Sequence, residues 1–264
     1  GGDSIKALVF LTIILTVVLQ SVSAQAIANL LKITAEDTTG AVIVGCSPLS
    51  LLIARLFRER GELVALIDTD PDSYPTDENL KVFISSALDT DVLEQAGLAS
   101  VGTFLAMTNN GDVNLVLAQR AIEEFSPPRV LSVFPSDSAA SVKIQSAFTP
   151  QFSLKTWNQF LADNSVKLGE TEFKEENFEA QQARLKSMIE AETLLPVLLE
   201  RDQNLQVCLA DLSWQVGDRL IYLLHDPKPK LLKVLGGSNQ TRLTLEKLPE
   251  IEDIAELEVS SEVV

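Results

Sequence analysis

Residues 41–68 constrain this chain more than any other stretch. Ala41-Val42-Ile43-Val44 is a short, continuous apolar run, as expected of a parallel strand covered on both faces. Gly45 permits a tight turn, Pro48 stands where a helix's first turn has no use for its missing N–H, and Leu49 to Arg60 carries apolar residues at helical spacing. Gly61 ends that helix as a C-cap. Leu63 to Ile67 reads as a second buried strand, with Asp68 at its carboxyl end, where open α/β sheets bind ligands. The order is that of a nucleotide-binding βαβ unit, in which a phosphate sits at the helix N-terminus and a carboxylate about 20 residues on holds the ribose. Its glycine fingerprint is incomplete: Gly45-Cys46-Ser47-Pro48-Leu49-Ser50 stands in place of Gly-x-Gly-x-x-Gly. Serine at 47 adds a side chain where the backbone would approach a pyrophosphate, although its hydroxyl can itself donate to a phosphate. A fold kept for structure, with no ligand, is the alternative.

The alternation continues. Lys81 to Ile84 is a third short run, followed by Ala87-Leu88-Asp89-Thr90-Asp91 and a helix from Val92 to Ala96. Val101 to Met107 makes a fourth strand that ends at Thr108-Asn109-Asn110, Val113 to Phe125 is helical, and Arg129 to Phe134 makes a fifth. Strands separated by helices imply a parallel sheet with right-handed crossovers, so the turns after these strands share one carboxyl edge with Gly45 and Asp68.

Before this unit, Ile5 to Ala24 is apolar with one lysine, Lys6, near its start, about the length of a bilayer-spanning helix. Ser23, Ala24, Ala26 and Ala28 are small residues suited to close helix contacts. A secretory signal peptide is the competing reading, with Val22-Ser23-Ala24 as a cleavage site. A membrane helix is preferred, because export would carry a nucleotide fold to a compartment poor in nucleotides. The start at Gly-Gly-Asp, without methionine, suggests the C-terminal part of a longer protein.

After Pro150 the pattern changes. Val166 to Phe173 reads as a strand, Asn177 to Ala191 as a helix of mixed charge, and Leu194 to Ala210 as two strands around an Arg201-Asp202-Gln203-Asn204 turn. Trp214 to Asp218 forms another turn before the strand Arg219 to Leu224. The last 29 residues, 236–264, hold seven acids against two bases and read as a solvated tail without a fold.

Composition excludes several classes of function. A formal charge of -16, from 37 acidic and 21 basic residues, argues against a nucleic-acid partner. Two cysteines, Cys46 and Cys208, fit a reducing compartment and supply neither a disulfide framework nor a zinc site. The single histidine, His225, reads as an ordinary residue at a strand end, and no metal ligand set converges on it. Trp157 and Trp214 read as packing residues. With no acid/base residue evident after a strand, no catalytic residue is assigned, and a NAD-dependent oxidoreductase is the least favoured reading.

Three segments resemble the regulator of potassium conductance domain, also called the potassium-transport nucleotide-binding domain. They are Val42-Ile43-Val44-Gly45-Cys46-Ser47-Pro48-Leu49-Ser50 with Asp68; Ala87 to Gly97, with its acid-x-acid pair Asp89 and Asp91; and Ala106 to Asn114. Residues 2–32 look like the last membrane helix and exit of a monovalent cation/proton antiporter of the sodium–proton exchanger type. The resemblance implies an α/β chain: a Rossmann-like parallel-sheet domain over 38–150, preceded by a transmembrane helix and exit over 1–32. A smaller α+β ligand-sensing subdomain would follow over 151–236, then an acidic tail over 237–264. It implies an adenine nucleotide, NAD(H), ATP/ADP or AMP, held by Gly45, Cys46, Ser47, Pro48 and Leu49 at the phosphate, Asp68 at the ribose, Leu88 and Asp89 at the adenine, and Thr108 and Asn109 on the remaining edge. Implied partners are the membrane, a transporter domain N-terminal to this chain and a second copy in a homodimer. The full-length protein would cross the cell membrane several times, with residues from about 33 onward in the cytosol. The function so implied is gating of cation transport by nucleotide occupancy; an assembly module that binds no nucleotide is the alternative.

Overall fold

The computed structural model describes residues 2–30, 39–71, 80–134, 143–149, 152–210, 213–225 and 251–252. The chain divides into two units, Gly1–Thr38 and Thr39–Val264. The first contains a single described element, helix α1 (Gly2–Leu30). Its large apolar side chains from Ile5 to Leu19 are all at least 51% exposed. Among the described residues no helix is long and apolar enough to cross a membrane. The stretch of α1 whose side chains are described, 5–20, covers about 24 Å at 1.5 Å per residue, against a hydrocarbon core of about 30 Å, and the helix runs on to Leu30.

The second unit opens with the expected βαβ order: β1 (Ala41–Val44), α2 (Pro48–Glu59) and β2 (Val64–Asp68). It continues through β3 (Lys81–Ile84), α3 (Thr90–Gln95), β4 (Thr103–Ala106), α4 (Gly111–Glu124), β5 (Arg129–Ser132) and the two-residue β6 (Gln145–Ser146). These strands form one parallel sheet in the order β3-β2-β1-β4-β5-β6. That is the doubly wound order, which turns back between β1 and β4 and leaves a crevice at their carboxyl ends. Alternate residues of β1 face opposite layers: Val42 and Val44 pack with Leu93 of α3 and Leu117 of α4, while Ile43 packs with Ile53 and Phe57 of α2.

Helix α5 (Leu154–Ala162) is absent from the sequence reading. Ser153 caps it by accepting the Thr156 N–H, and Leu154, Trp157 and Leu161 bury a stripe against the core that also holds α2. Beyond it lie β7 (Val166–Glu172), α6 (Phe178–Glu190), β8 (Leu194–Arg201), β9 (Asn204–Val207) and β10 (Arg219–His225). These strands form a second sheet, antiparallel throughout β9-β8-β10-β7. The β8–β9 hairpin turns at Asp202 and Gln203, whose φ values of 52° and 66° are those of a type I′ turn. Tyr222 lies opposite Gly169, where any side chain would overlap its ring.

Residues on both sides of 150 share one core: Val197, Leu198, Ile221 and Leu223 of the second sheet pack with α2 and α5. The layers therefore run α3/α4, first sheet, α2/α5, second sheet, α6. At the polar rim of this contact, Arg60 after α2 pairs with Glu200 and lies 3.7 Å from Glu170. Such half-exposed pairs set register more than they add stability. Trp157 and Trp214 both pack, the latter stacked on Phe173, and His225 stacks on Phe160 with ring centroids 3.7 Å apart. One departure concerns the acidic tail, read as wholly without a fold: Ile251–Glu252 forms β11, parallel to β7 at Leu168 and Gly169. The edge of β7 offers unpaired backbone groups that a passing segment can satisfy.

Candidate ligand site at the carboxyl edge of the first sheet

All ten residues expected at the site lie at the carboxyl ends of β1, β2, β3 and β4: Asp68 is the last residue of β2, Pro48 and Leu49 are the first two of α2, and the other seven are in the turns. Gly45 has φ +103° and donates its N–H to Ile67 O at 2.9 Å. A Cβ here would sit 2.7 Å from Met107 O and 2.9 Å from Thr108 N, so only glycine lets the end of β1 pass this close to the end of β4. Asp68 reaches over to the turn after the neighbouring strand β1. Its Oδ2 accepts the Cys46 N–H and its Oδ1 accepts the Asp70 N–H at 2.9 Å. The Cys46 thiol is pushed up to about 11, first by burial and second by the Asp68 carboxylate, so it stays protonated and poorly nucleophilic at neutral pH.

Ser47 is the N-cap of α2 and forms a capping box with Ser50. The Ser50 N–H donates to Ser47 Oγ at 3.3 Å, the Ser47 N–H to Ser50 Oγ at 3.2 Å, and the two hydroxyls lie 2.8 Å apart. Pro48 follows at N1. Leu49 buries its side chain fully in the core, and its N–H donates to Asn158 Oδ1 on α5 at 3.0 Å.

The two remaining turns have their own closures. Asp89 caps α3 by accepting the Asp91 N–H at 3.1 Å, and Leu88 beside it is 46% exposed. After β4, Thr108 is tied to Asn114: Asn114 Oδ1 accepts the Thr108 N–H at 2.9 Å and the Thr108 hydroxyl at 2.6 Å. Asn114 Nδ2 donates to Thr108 O at 3.1 Å and to Val133 O at 2.8 Å, and the residue is completely buried. Asn109 is exposed. Asn110 caps α4, accepting the Asp112 and Val113 N–H groups.

Three residues without an assigned role prove central: Ser50, Asn114 and Asn158. Ser47-x-x-Ser50 carries the spacing of a capping box and was open to that reading, and Asn114 follows Thr108 at a local separation of 6 residues. Asn158 lies 109 residues from Leu49 and has no local signal.

A parallel sheet in the order 3-2-1-4-5-6, with an acid at the end of its second strand, defines a Rossmann-like α/β domain. Residues 41–146 match the TrkA-N domain family. The chain is similar to the Trk system potassium uptake protein TrkA of Streptomyces coelicolor, at 29% identity over 92 residues, 34% of this chain and 41% of that protein. It is also similar to the glutathione-regulated potassium-efflux system protein KefC of Enterobacter sp. (strain 638), at 29% identity over 99 residues, 37% of this chain and 16% of that protein. The chain thus spans less than half the length of either relative, and both names are those of potassium transport components rather than enzymes. Similar solved structures include the TrkA-N domain of the inner membrane protein ybaL from Escherichia coli, with 14% identity, 36% of this chain and 72% of that chain covered, and a TM-score of 0.32. Another is the GsuK channel bound to NAD, with 15% identity, 72% and 37% covered, and a TM-score of 0.36.

Proposed function

We propose that this chain is the regulatory region of a membrane cation transporter, of the monovalent cation:proton antiporter type, and that an adenine ligand is read at the carboxyl edge of the first sheet through Asp68. The observation that carries the regulatory reading is the TrkA-N match over 41–146, shared with relatives from potassium transport systems. What supports the membrane part is the run of exposed apolar side chains from Ile5 to Leu19 on helix α1, within which Thr12 and Thr16 turn their hydroxyls onto the carbonyls of Leu8 and Thr12. Residues from about 33 onward then lie in the cytosol, next to a transporter domain that precedes this chain, with a homodimer as the working assembly. Ligand occupancy gates transport only if the two arrangements of the region bind the ligand with different affinity.

The test is titration of the purified chain with adenosine, AMP and NAD. Asp68→Asn is expected to weaken binding by about 1–3 kcal/mol, the scale of a hydrogen bond to a charged group. Equal affinity in the variant removes Asp68 from the site. A second reading, an assembly module that takes no ligand, is favoured by the bonds that already occupy the β1–α2 turn; failure of all three ligands to bind selects it.

A further inference from the structure

A pyrophosphate at a βαβ turn is held by backbone N–H groups that must be free and approachable. From Gly45 to Ser50 each one is spent. Gly45 donates to Ile67 O, Cys46 to Asp68, Ser47 to Ser50 Oγ, Leu49 to Asn158 Oδ1 and Ser50 to Ser47 Oγ, while Pro48 has no N–H. The two serines that take part stand where the fingerprint has glycine, and the charge bonded to the turn, that of Asp68, has the same sign as a phosphate. The residues present therefore do not fit the dinucleotide that the fold implies.

Asn158 is the distant member of this set. It is half-buried on α5, next to Trp157, and α5 is docked on the α2 side of the core through Leu154, Trp157 and Leu161. Its oxygen meets the N–H of the second residue of α2, a position at which a helix would otherwise offer a donor to an anion. Packing across the two halves of the unit delivers this oxygen. A neutral amide so placed satisfies the donor with neither the charge nor the bulk of a phosphate.

We propose that Asn158 is the resident occupant of the phosphate turn, and that the turn accepts neither a pyrophosphate nor a single phosphate. An adenine ligand at Asp68 is then read through its nucleoside, with any phosphate outside the turn. That last clause rests on the functional reading above; the closure of the turn does not.

The test uses the full chain and two readouts: amide exchange at Leu49, and the amide signals of Gly45 to Ser50 during titration with inorganic pyrophosphate, NAD, AMP and adenosine. Leu49 is expected to be protected, and to exchange at least about tenfold faster in Asn158→Ala, because its acceptor is gone. Asn158→Asp keeps the oxygen and should keep the protection, which guards against a variant that merely misfolds. Pyrophosphate should leave the turn's signals unmoved, NAD should move only those that adenosine moves through the Asp68–Cys46 bond, and AMP should bind within about twofold of adenosine, since no phosphate contact is gained. Shifts of these signals by pyrophosphate, shifts by NAD at Ser47 to Ser50 that adenosine does not cause, a large preference for AMP over adenosine, or unchanged Leu49 exchange in Asn158→Ala would each overturn the proposal. If no adenine compound binds, the nucleoside reading falls, and Leu49 exchange alone decides whether Asn158 closes the turn.

Discussion

Two turns on one sheet edge, β1–α2 and β4–α4, are each closed by an asparagine side chain, and they are closed in different ways. Asn114 belongs to the helix that its own turn begins, is fully buried and uses both ends of its amide, accepting twice from Thr108 and donating to Thr108 O and Val133 O. Asn158 comes from α5, is half-buried and contributes its oxygen to a single N–H. The first closure is a local network that holds β4, β5 and α4 together. The second is a long-range contact that joins the phosphate turn to the segment between the two sheets. An amide that satisfies four groups in a dry site is part of the core, whereas an amide that satisfies one at a half-open edge is closer to a bound ligand.

The sharpest way to break this contrast is to remove Asn114. Asn114→Ala leaves the Thr108 N–H, the Thr108 hydroxyl and two carbonyls without their partner in a buried site, at a cost of about 3–5 kcal/mol if each loses part of its desolvation penalty. Denaturant unfolding measures this, and a loss below 1 kcal/mol, roughly one ordinary hydrogen bond, would show that the turn relaxes onto other partners. Next in size is Gly45→Ala, which probes where the two turns meet. The new Cβ combines a φ of +103° with contacts of 2.7 and 2.9 Å to Met107 O and Thr108 N. The expected loss is about 2–3 kcal/mol, the sum of backbone strain and displacement of the β4 end. A loss near that of a simple left-handed position, about 1 kcal/mol, would mean that the two turns move independently.

The same contrast explains what is legible in the sequence. Short apolar runs such as Ala41–Val44 and the hairpin around Asp202-Gln203 announce themselves because strand burial and turn chemistry act between near neighbours. Asn114 lies only six residues from Thr108, so a closed β4–α4 turn is within reach of local reasoning, although its bond to Val133, 19 residues on, is not. Leu154, Trp157 and Leu161 stand at helical spacing behind the cap residue Ser153, so the short α5 is itself a local signal, and only the surface that it covers depends on the second sheet. Asp68 is legible as a strand-end acid. Its bond to the Cys46 N–H is not, because the same position serves a ribose or a turn equally well until the geometry of the crevice is known. The Leu49–Asn158 contact, 109 residues apart, follows only from how the two sheets pack.

The smallest expected effects separate the two asparagines most cleanly. Asn158→Ala deletes one acceptor at a half-buried site and should cost about 1 kcal/mol. Asn158→Asp retains that oxygen and places a negative charge at the N-terminus of α2, which the helix dipole favours by about 0.3–1 kcal/mol, offset in part by the cost of charging a half-buried site. Its stability should therefore lie within about 0.5 kcal/mol of the parent. Asn114→Asp, by contrast, removes both donors and turns a charged oxygen toward Thr108 O and Val133 O, so it should be at least as damaging as Asn114→Ala. If both aspartate variants were tolerated, Asn114 would be no more a core residue than Asn158. If neither were, the Leu49 contact would need the amide nitrogen of Asn158 as well, and Asn158 would be a member of the core rather than an occupant of the turn.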